Sequence, residues 1–274
     1  MSEQIIHQLQ DMTYLEWAKV RNSSGTAGSF LKSYSDLGSK KIYYKLSNYN
    51  AVEGIVGHEC VNEIIVDRLL TILGIEHLHY QLIHADILVD GQRMTTWLCA
   101  SEDYKKRGEN KLALDTYFLA ERQPTETPMA FCIRNGWEDY IDTMLVVDYL
   151  ILNRDRHGAN IEVLRNSRAK TIRLAPLFDH GLSLLCSCTS EQLLETADVM
   201  EDKAVQSWVA SRSAWKNVQD IQASKRPQLH LLQEKDKATL LAGLDEVLPT
   251  HWQDKIWDMI WRRWNVYESL CHTR

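Results

Sequence analysis

The densest polar cluster in the chain is Asn153-Arg154-Asp155-Arg156-His157-Gly158-Ala159-Asn160, set between a hydrophobic helix pattern and a short strand pattern. Asp155 and Asn160 stand five residues apart, and nineteen residues after Asn160 comes Asp179, within Phe178-Asp179-His180-Gly181. Two β-like runs lie between them, 161–164 and 171–174, joined by the polar segment 165–170. Antiparallel pairing of those runs returns the chain on itself and predicts Asn160 and Asp179 at one end of the ladder. Oxygen-bearing side chains converging there suit Mg²⁺, which takes one or two protein oxygens and completes its octahedron with phosphate and water. Asp, His, Gly and Asn are turn residues in any case. Turn chemistry does not, however, call for an Asp-x-Gly at the far end of the hairpin that follows.

The five-residue step from Asp155 to Asn160 is also the separation between base and metal ligand in phosphoryl-transfer loops. An ATP site makes further demands on the first hundred residues. Asn22-Ser23-Ser24-Gly25-Thr26-Ala27-Gly28-Ser29 is a small-residue loop. In it Ser23, Ser24, Gly25, Thr26 and Gly28 offer bare backbone N–H groups and hydroxyls to phosphate oxygens. The strand from Phe30 turns at Leu37-Gly38-Ser39 and returns through Lys45, which pairing sets opposite residues 30 and 31 at the mouth of that loop. Tyr43, Lys45 and Ser47 share a strand face. A lone strand lysine is an ordinary solvated residue; the loop beside it makes Lys45 a phosphate ligand. A buried cation needs a counter-charge. Glu59 and Glu63 lie one turn apart on the next helix pattern, Glu63 being the expected partner and Glu59 the alternative.

Several elements must position these residues. Apolar Val61, Ile64, Ile65, Leu69, Ile72 and Leu73 recur at helical spacing, which predicts an amphipathic helix over 59–73 ended by Gly74. Asp90-Gly91 between two β-like runs is the strongest hairpin signal in the chain. A helix is expected over 137–152, with Ile141, Met144, Leu145 and Tyr149 on one stripe. Near the end, Trp257, Trp261 and Trp264 follow a one-face spacing, expected to close the core rather than to form a ligand box. Up to about residue 103 the pattern is mixed; beyond about 110 it is mostly helical.

Composition narrows the class. The 274 residues include 12 glycines and 5 prolines, about half the usual share of roughly 12%, so low-complexity and linker-rich designs are excluded. A net charge of −6 argues against a wholly basic nucleic-acid surface, and no direct nucleic-acid binding is expected. No apolar run approaches the ~18 residues of a spanning helix, and no secretory leader is read at the amino terminus. Six scattered cysteines without a Cys-x-x-Cys pair suggest reduced thiols in a cytoplasmic setting.

This constellation resembles the HipA-like serine/threonine kinases, a bacterial branch whose fold is related to the phosphatidylinositol 3- and 4-kinases, in their compact CtkA-type form. The resemblance rests on Lys45, on Val61-Asn62-Glu63, on Asp155-Arg156-His157-Gly158-Ala159-Asn160 and on Ala175-Pro176-Leu177-Phe178-Asp179, and spans about 22–185. It implies an α+β, two-lobed kinase-like fold. Residues 1–103 would form a small mixed α/β N-lobe with an antiparallel sheet, and 104–274 a larger, mainly helical C-lobe. By the same resemblance Asp155 would act as catalytic base, Asn160 and Asp179 as metal ligands, and His157 would lie near the γ-phosphate. The linker contacting adenine would fall at Ser101, Glu102 and Asp103. The implied activity is ATP- and Mg²⁺-dependent phosphorylation of protein Ser/Thr hydroxyls, with autophosphorylation of the phosphate loop and an antitoxin or host-protein partner. A lipid or small-molecule kinase of the same fold, and an ATP-binding interaction module without turnover, stand as alternatives. Non-classical export as an effector is compatible with this reading.

Overall fold

Strict alternation of side chains sorts the N-terminal sheet into two faces. The computed structural model describes residues 4–19, 30–37, 40–50 and 52–272. Its first elements are β1 (Ile5–Asp11), β2 (Ala18–Lys19), β3 (Leu31–Leu37), β4 (Lys40–Leu46), β5 (Tyr49–Asn50), β6 (Gly54–Ile55), α1 (Glu59–Leu73), β7 (Gln81–Val89) and β8 (Gln92–Glu102). Six strands join in the order β1-β7-β8-β4-β3-β2, antiparallel throughout except for β1, which runs parallel to β7. Ile83, Ala85, Ile87 and Val89 of β7 and Tyr44 and Leu46 of β4 enter one buried cluster. Leu82 of β7, and Cys99 of β8 between Leu98 and Ala100 of the first cluster, point the other way into a second cluster with α1. Because strand side chains alternate, Lys45 between Tyr44 and Leu46 faces α1.

The expected hairpin at Asp90-Gly91 is present, with Val89 opposite Gln92 and φ of 50° and 81° at the two central residues. Gly91 reaches that left-handed region without a Cβ penalty. Helix α1 has the predicted bounds, and Gly74 caps it. One expected register is corrected. Leu37 pairs directly with Lys40, so Lys45 lies opposite Lys32 rather than residues 30 and 31. The expected three-residue turn included Leu37, which is in fact a strand residue, and the pairing moves by one.

The remaining elements are β9 (Asn110–Ala113), α2 (Leu114–Glu121), α3 (Pro128–Arg134), α4 (Glu138–Ile151), β10 (Asp155–Arg156), β11 (Glu162–Asn166), β12 (Thr171–Leu174), α5 (Glu191–Thr196), β13 (Gln206–Ser207), α6 (Ala214–Asp220), α7 (Asp236–Leu241) and α8 (Thr250–His272). The expected strand pair β11 and β12 is joined by β9, in the order β12-β11-β9. Arg165 and Asn166, expected in the connection, extend β11 and pair with Ile172 and Thr171. Helix α8 buries Trp252, Trp257 and Trp264, and Trp261 stacks on Trp257 with ring centres 5.5 Å apart. It is anchored by Arg263, 1% exposed, which donates to the carbonyls of Tyr149, Val199 and Glu201. No helix among the described residues is long and apolar enough to cross a membrane.

Asp142 on α4 is 7% exposed, and burial, with the nearby carboxylate of Glu138, pushes its pKa up from 3.8 to about 6 while Lys225 opposes the shift. An acid whose folded-state value is raised binds its proton more tightly when folded, so stability falls as pH rises from about 4 to about 6 and stays low above that. Asp142→Asn is therefore expected to raise stability by about 1 kcal/mol at neutral pH, after allowance for solvent screening. Urea denaturation at several pH values should find the gain shrinking below pH 6 and absent near pH 4.

Candidate active site

An ammonium group out of water dictates the centre of the site. Lys45 Nζ lies 3.2 Å from Glu63 Oε1 and 2.5 Å from Asp179 Oδ1, with 11% of its side chain exposed. Burial alone would lower its pKa, but the carboxylates of Asp179 and Glu63 outweigh that and hold it well above the ordinary value. Of the two candidate partners, Glu63 takes the lysine; Glu59 instead accepts the backbone N–H of Asn48 at 2.9 Å. The Phe30 ring centre stands 4.7 Å from Lys45 Nζ, so the chain leaving the small-residue loop reaches the lysine. The loop residues Ser23, Ser24, Gly25, Thr26 and Gly28 themselves lie outside the described residues.

Helix α4 ends at Leu152, whose φ of 48° turns the chain abruptly into Asn153-Arg154-Asp155. Asp155 Oδ1 is buried and makes no hydrogen bond among the described residues, while Oδ2 lies 3.7 Å from His157 Nε2. Burial, reinforced by the Asp179 carboxylate and opposed by His157 and Lys45, raises the pKa of Asp155. Asn160 donates its side-chain amide to the carbonyl of Asp155 at 2.8 Å. Because that bond uses the amide nitrogen, its Oδ1 remains the atom by which Asn160 could ligate a cation.

A second buried cation organises this loop. Arg156, 1% exposed, pairs with Asp148 of α4 through Nε and Nη2, and its Nη1 donates to the carbonyls of Asn160 and Phe178 at 3.1 and 3.0 Å. One guanidinium nitrogen thus holds the segments carrying Asn160 and Asp179 against each other. Asn153 donates its side-chain amide to Asp148 Oδ1 at 2.9 Å. Sequence reasoning took Arg156 only as part of a motif and did not single out Asp148. A single acid one helical stretch before the loop carries no spacing signal, and their pairing depends on the chain folding back.

Asp179 adopts φ of 58°, a left-handed conformation that Asp tolerates better than most residues. Its N–H donates to the Tyr80 hydroxyl at 3.2 Å, and its second oxygen lies 4.0 Å from Lys32. Burial would raise its pKa, but Lys45 and then Lys32 hold it well below the carboxylate range, so it stays ionised. Neither Tyr80 nor Lys32 was legible as a site residue, since each arrives from a distant strand or strand end. The Asn62-Glu63 pair on α1 divides two tasks. Asn62 donates to the carbonyls of Gly181 and Ser183, while Glu63 accepts the His180 N–H at 2.9 Å as well as Lys45. A Cβ at Gly181 would come within 3.0 Å of Glu59 Cβ, so its absence permits this approach of helix and loop. His180 is 2% exposed, and burial holds its pKa well below the ordinary value, leaving a neutral ring whose backbone N–H makes the functional contact.

The strand before the expected linker runs longer than its pattern suggests. Ser101 and Glu102 are the last residues of β8, paired with Tyr43 and Ile42, because the ladder with β4 outruns the one with β7, which ends at Ala100. The crossing begins at Asp103, whose N–H donates to the Lys41 carbonyl and whose carboxylate pairs with Lys111 at 2.9 Å. Tyr104 follows, bonded through its hydroxyl to Glu162 and packed 5.8 Å from the Phe178 ring. The site therefore assembles Lys45, Glu63, Asp155, His157, Asn160 and Asp179, while Ser101 and Glu102 end β8 and Asp103 follows it. Asn160 and Asp179 offer only oxygen donors, a set that fits a hard cation such as Mg²⁺.

This architecture, an antiparallel sheet with one long helix followed by a mainly helical part, is that of a two-lobed kinase-like fold. The Helicobacter pylori proinflammatory kinase CtkA superposes with a TM-score of 0.62 at 15% identity, over 96% of this chain and 97% of that one. Shewanella oneidensis HipA, solved in a toxin–antitoxin complex with HipB and operator DNA, aligns with a TM-score of 0.44 at 14% identity, over 89% of this chain and 58% of its own. The chain matches no protein-family profile and no curated protein sequence.

The Arg156 pair can be tested by stability. Arg156→Met strands Asp148 as a buried charge and is expected to cost about 3–5 kcal/mol in urea denaturation. Adding Asp148→Leu should recover at least half of that loss, because the uncompensated carboxylate goes with it.

Proposed function

We propose that the protein is an ATP- and Mg²⁺-dependent kinase that transfers a phosphoryl group to Ser/Thr hydroxyls of protein substrates and to its own phosphate loop. One observation carries this reading. A buried lysine is held between a helix glutamate and the Asp179 carboxylate, with Asp155 and Asn160 on the loop that Arg156 ties to the same segment. The fixed charge of Lys45 would offset negative charge on ATP phosphates without reorganising, which is the main source of catalysis in phosphoryl transfer. Asp155 would orient the attacking hydroxyl and take its proton. Its raised pKa makes it a better base, and Oδ1 has its acceptor capacity unspent. Asn160 and Asp179 would hold Mg²⁺, which when bound neutralises charge on the phosphates. His157 stands beside Asp155, where it would meet the transferring group. Ser23, Ser24, Thr26 and Ser29 would be the self-modification sites, and phosphate there would oppose ATP by adding about −2 charge. An antitoxin or host protein as dedicated partner belongs to this reading through the sequence resemblance alone.

The test is incubation of the purified chain with γ-labelled ATP and Mg²⁺, with and without candidate proteins, followed by intact-mass analysis. Label is expected in protein, and Asp155→Ala should lower the rate about 10²–10⁴-fold while the melting transition is kept. Unchanged turnover in that variant would sink the assignment. Label confined to a lipid fraction would move the activity to a lipid kinase, and nucleotide binding without turnover would make the chain an interaction module.

A further inference from the structure

Helix α1 carries a second cluster of ligand-type side chains, centred on Asp67 one turn beyond Glu63. Past Gly74 the chain turns back along the helix and brings His77 and His79 onto Asp67, buried at 4% exposure. His77 Nε2 lies 3.2 Å and His79 Nδ1 3.3 Å from the same oxygen, Asp67 Oδ1. The three ligand atoms all fall within 4.8 Å of one another. A tetrahedral ion with bonds of about 2.0–2.1 Å sets its ligand atoms about 3.3 Å apart. The two distances to Asp67 have that length.

Hydrogen bonding around the cluster also asks for a cation. His77 Nδ1 lies 2.7 Å from the Ile75 carbonyl, which can only accept, so that nitrogen carries the proton. The other ring nitrogen, Nε2, is then aimed at a carboxylate oxygen. The Thr71 hydroxyl, 3.5 Å from Nε2, spends its proton on the Asp67 carbonyl at 2.9 Å. Asp67 Oδ2 is already engaged by the Tyr80 N–H at 2.6 Å. Two ligand-type atoms thus face each other where the His77 and Asp67 side chains are 3% and 4% exposed. A metal ion between them would be held by both. An imidazole N–H fixed by a backbone carbonyl and a carboxylate oriented by a backbone N–H are the outer contacts that metal-bound histidine and carboxylate usually make.

We propose that Asp67, His77 and His79 bind one divalent transition-metal ion of the zinc type. Two imidazoles and a carboxylate select that class over Mg²⁺. The exposed His79, 75% accessible, leaves a fourth position to water. The ion would staple the 75–80 segment to α1. That segment donates from Leu78 to the Leu177 carbonyl at 2.8 Å and supplies the Tyr80 hydroxyl to the N–H of Asp179.

The experiment needs no phosphoryl transfer. Chelator-treated full-length protein is titrated with Zn²⁺ by calorimetry and with Co²⁺ by visible absorption. One ion per chain is expected, with the intense bands of tetrahedral Co²⁺. Binding should weaken about 10-fold or more in His79→Ala, whose exposed side chain can be lost without harm to the fold. Asp179→Ala, which removes a carboxylate at the cleft, should bind the ion as the parent does. Absence of binding by the parent, or equal affinity in His79→Ala, overturns the proposal and leaves His77 and Asp67 as a hydrogen-bonded structural pair.

Discussion

A lysine ammonium shut away from water must be neutralised where it sits, and the rest of this structure is arranged to do that for Lys45. The sheet supplies the lysine, α1 supplies Glu63, and the loop after β12 supplies Asp179. Removing either carboxylate leaves a buried charge short of compensation, which costs far more than an exposed ion pair gains. Three segments distant in the chain are therefore fixed relative to one another by one ammonium group. The packing of α1 against sheet and helices serves that contact. Its buried residues belong to the same cluster as those of α4 and α8.

Arg156 repeats the device one layer deeper. Its charge is balanced by Asp148, and its remaining donors satisfy carbonyls on two loops that regular structure leaves unpaired. Loops with left-handed residues at Leu152, Asp179 and Leu184 lack the ladder bonds that make strands rigid. A planar guanidinium with five donors in a fixed fork suits that task better than an ammonium would. Rigidity at the cleft thus comes from buried cations, while the hydrophobic clusters set where the elements lie.

Much of this was legible from local patterns. Helix α1 could be read to the residue, since its apolar period and its Gly74 cap are both written within the segment. The Asp90-Gly91 hairpin, the Asp155 to Asn160 step and the facing of Lys45 toward α1 are likewise local consequences of spacing. What could not be read depends on chain return. The Lys45 register slipped by one because a single strand residue, Leu37, was assigned to the turn. Strand β9 was missed because four residues with no partner in the neighbouring sequence carry little alternation. Tyr80, Lys32 and Asp148 became site residues only when folding brought them alongside Asp179 and Arg156, and the end of β8 was set by how far β4 runs beside it.

The contact between Lys45 and Asp179 has a thermodynamic consequence for any nucleotide that enters the cleft. With no ligand bound, the lysine already has a counter-ion, and a phosphate group arriving alone must compete with Asp179 for it. Displacing that carboxylate would leave it ionised with only the more distant Lys32, 4.0 Å away, as a positive partner. A divalent cation arriving with the phosphate would reverse the sign of this exchange, because Asp179 would pass from one positive partner to another while Lys45 passed to the phosphate. Under the proposed function, nucleotide and metal therefore bind with positive linkage, each raising the affinity for the other by the same factor. On that reading the cleft would discriminate against uncomplexed ATP through charge exchange alone, without a moving part.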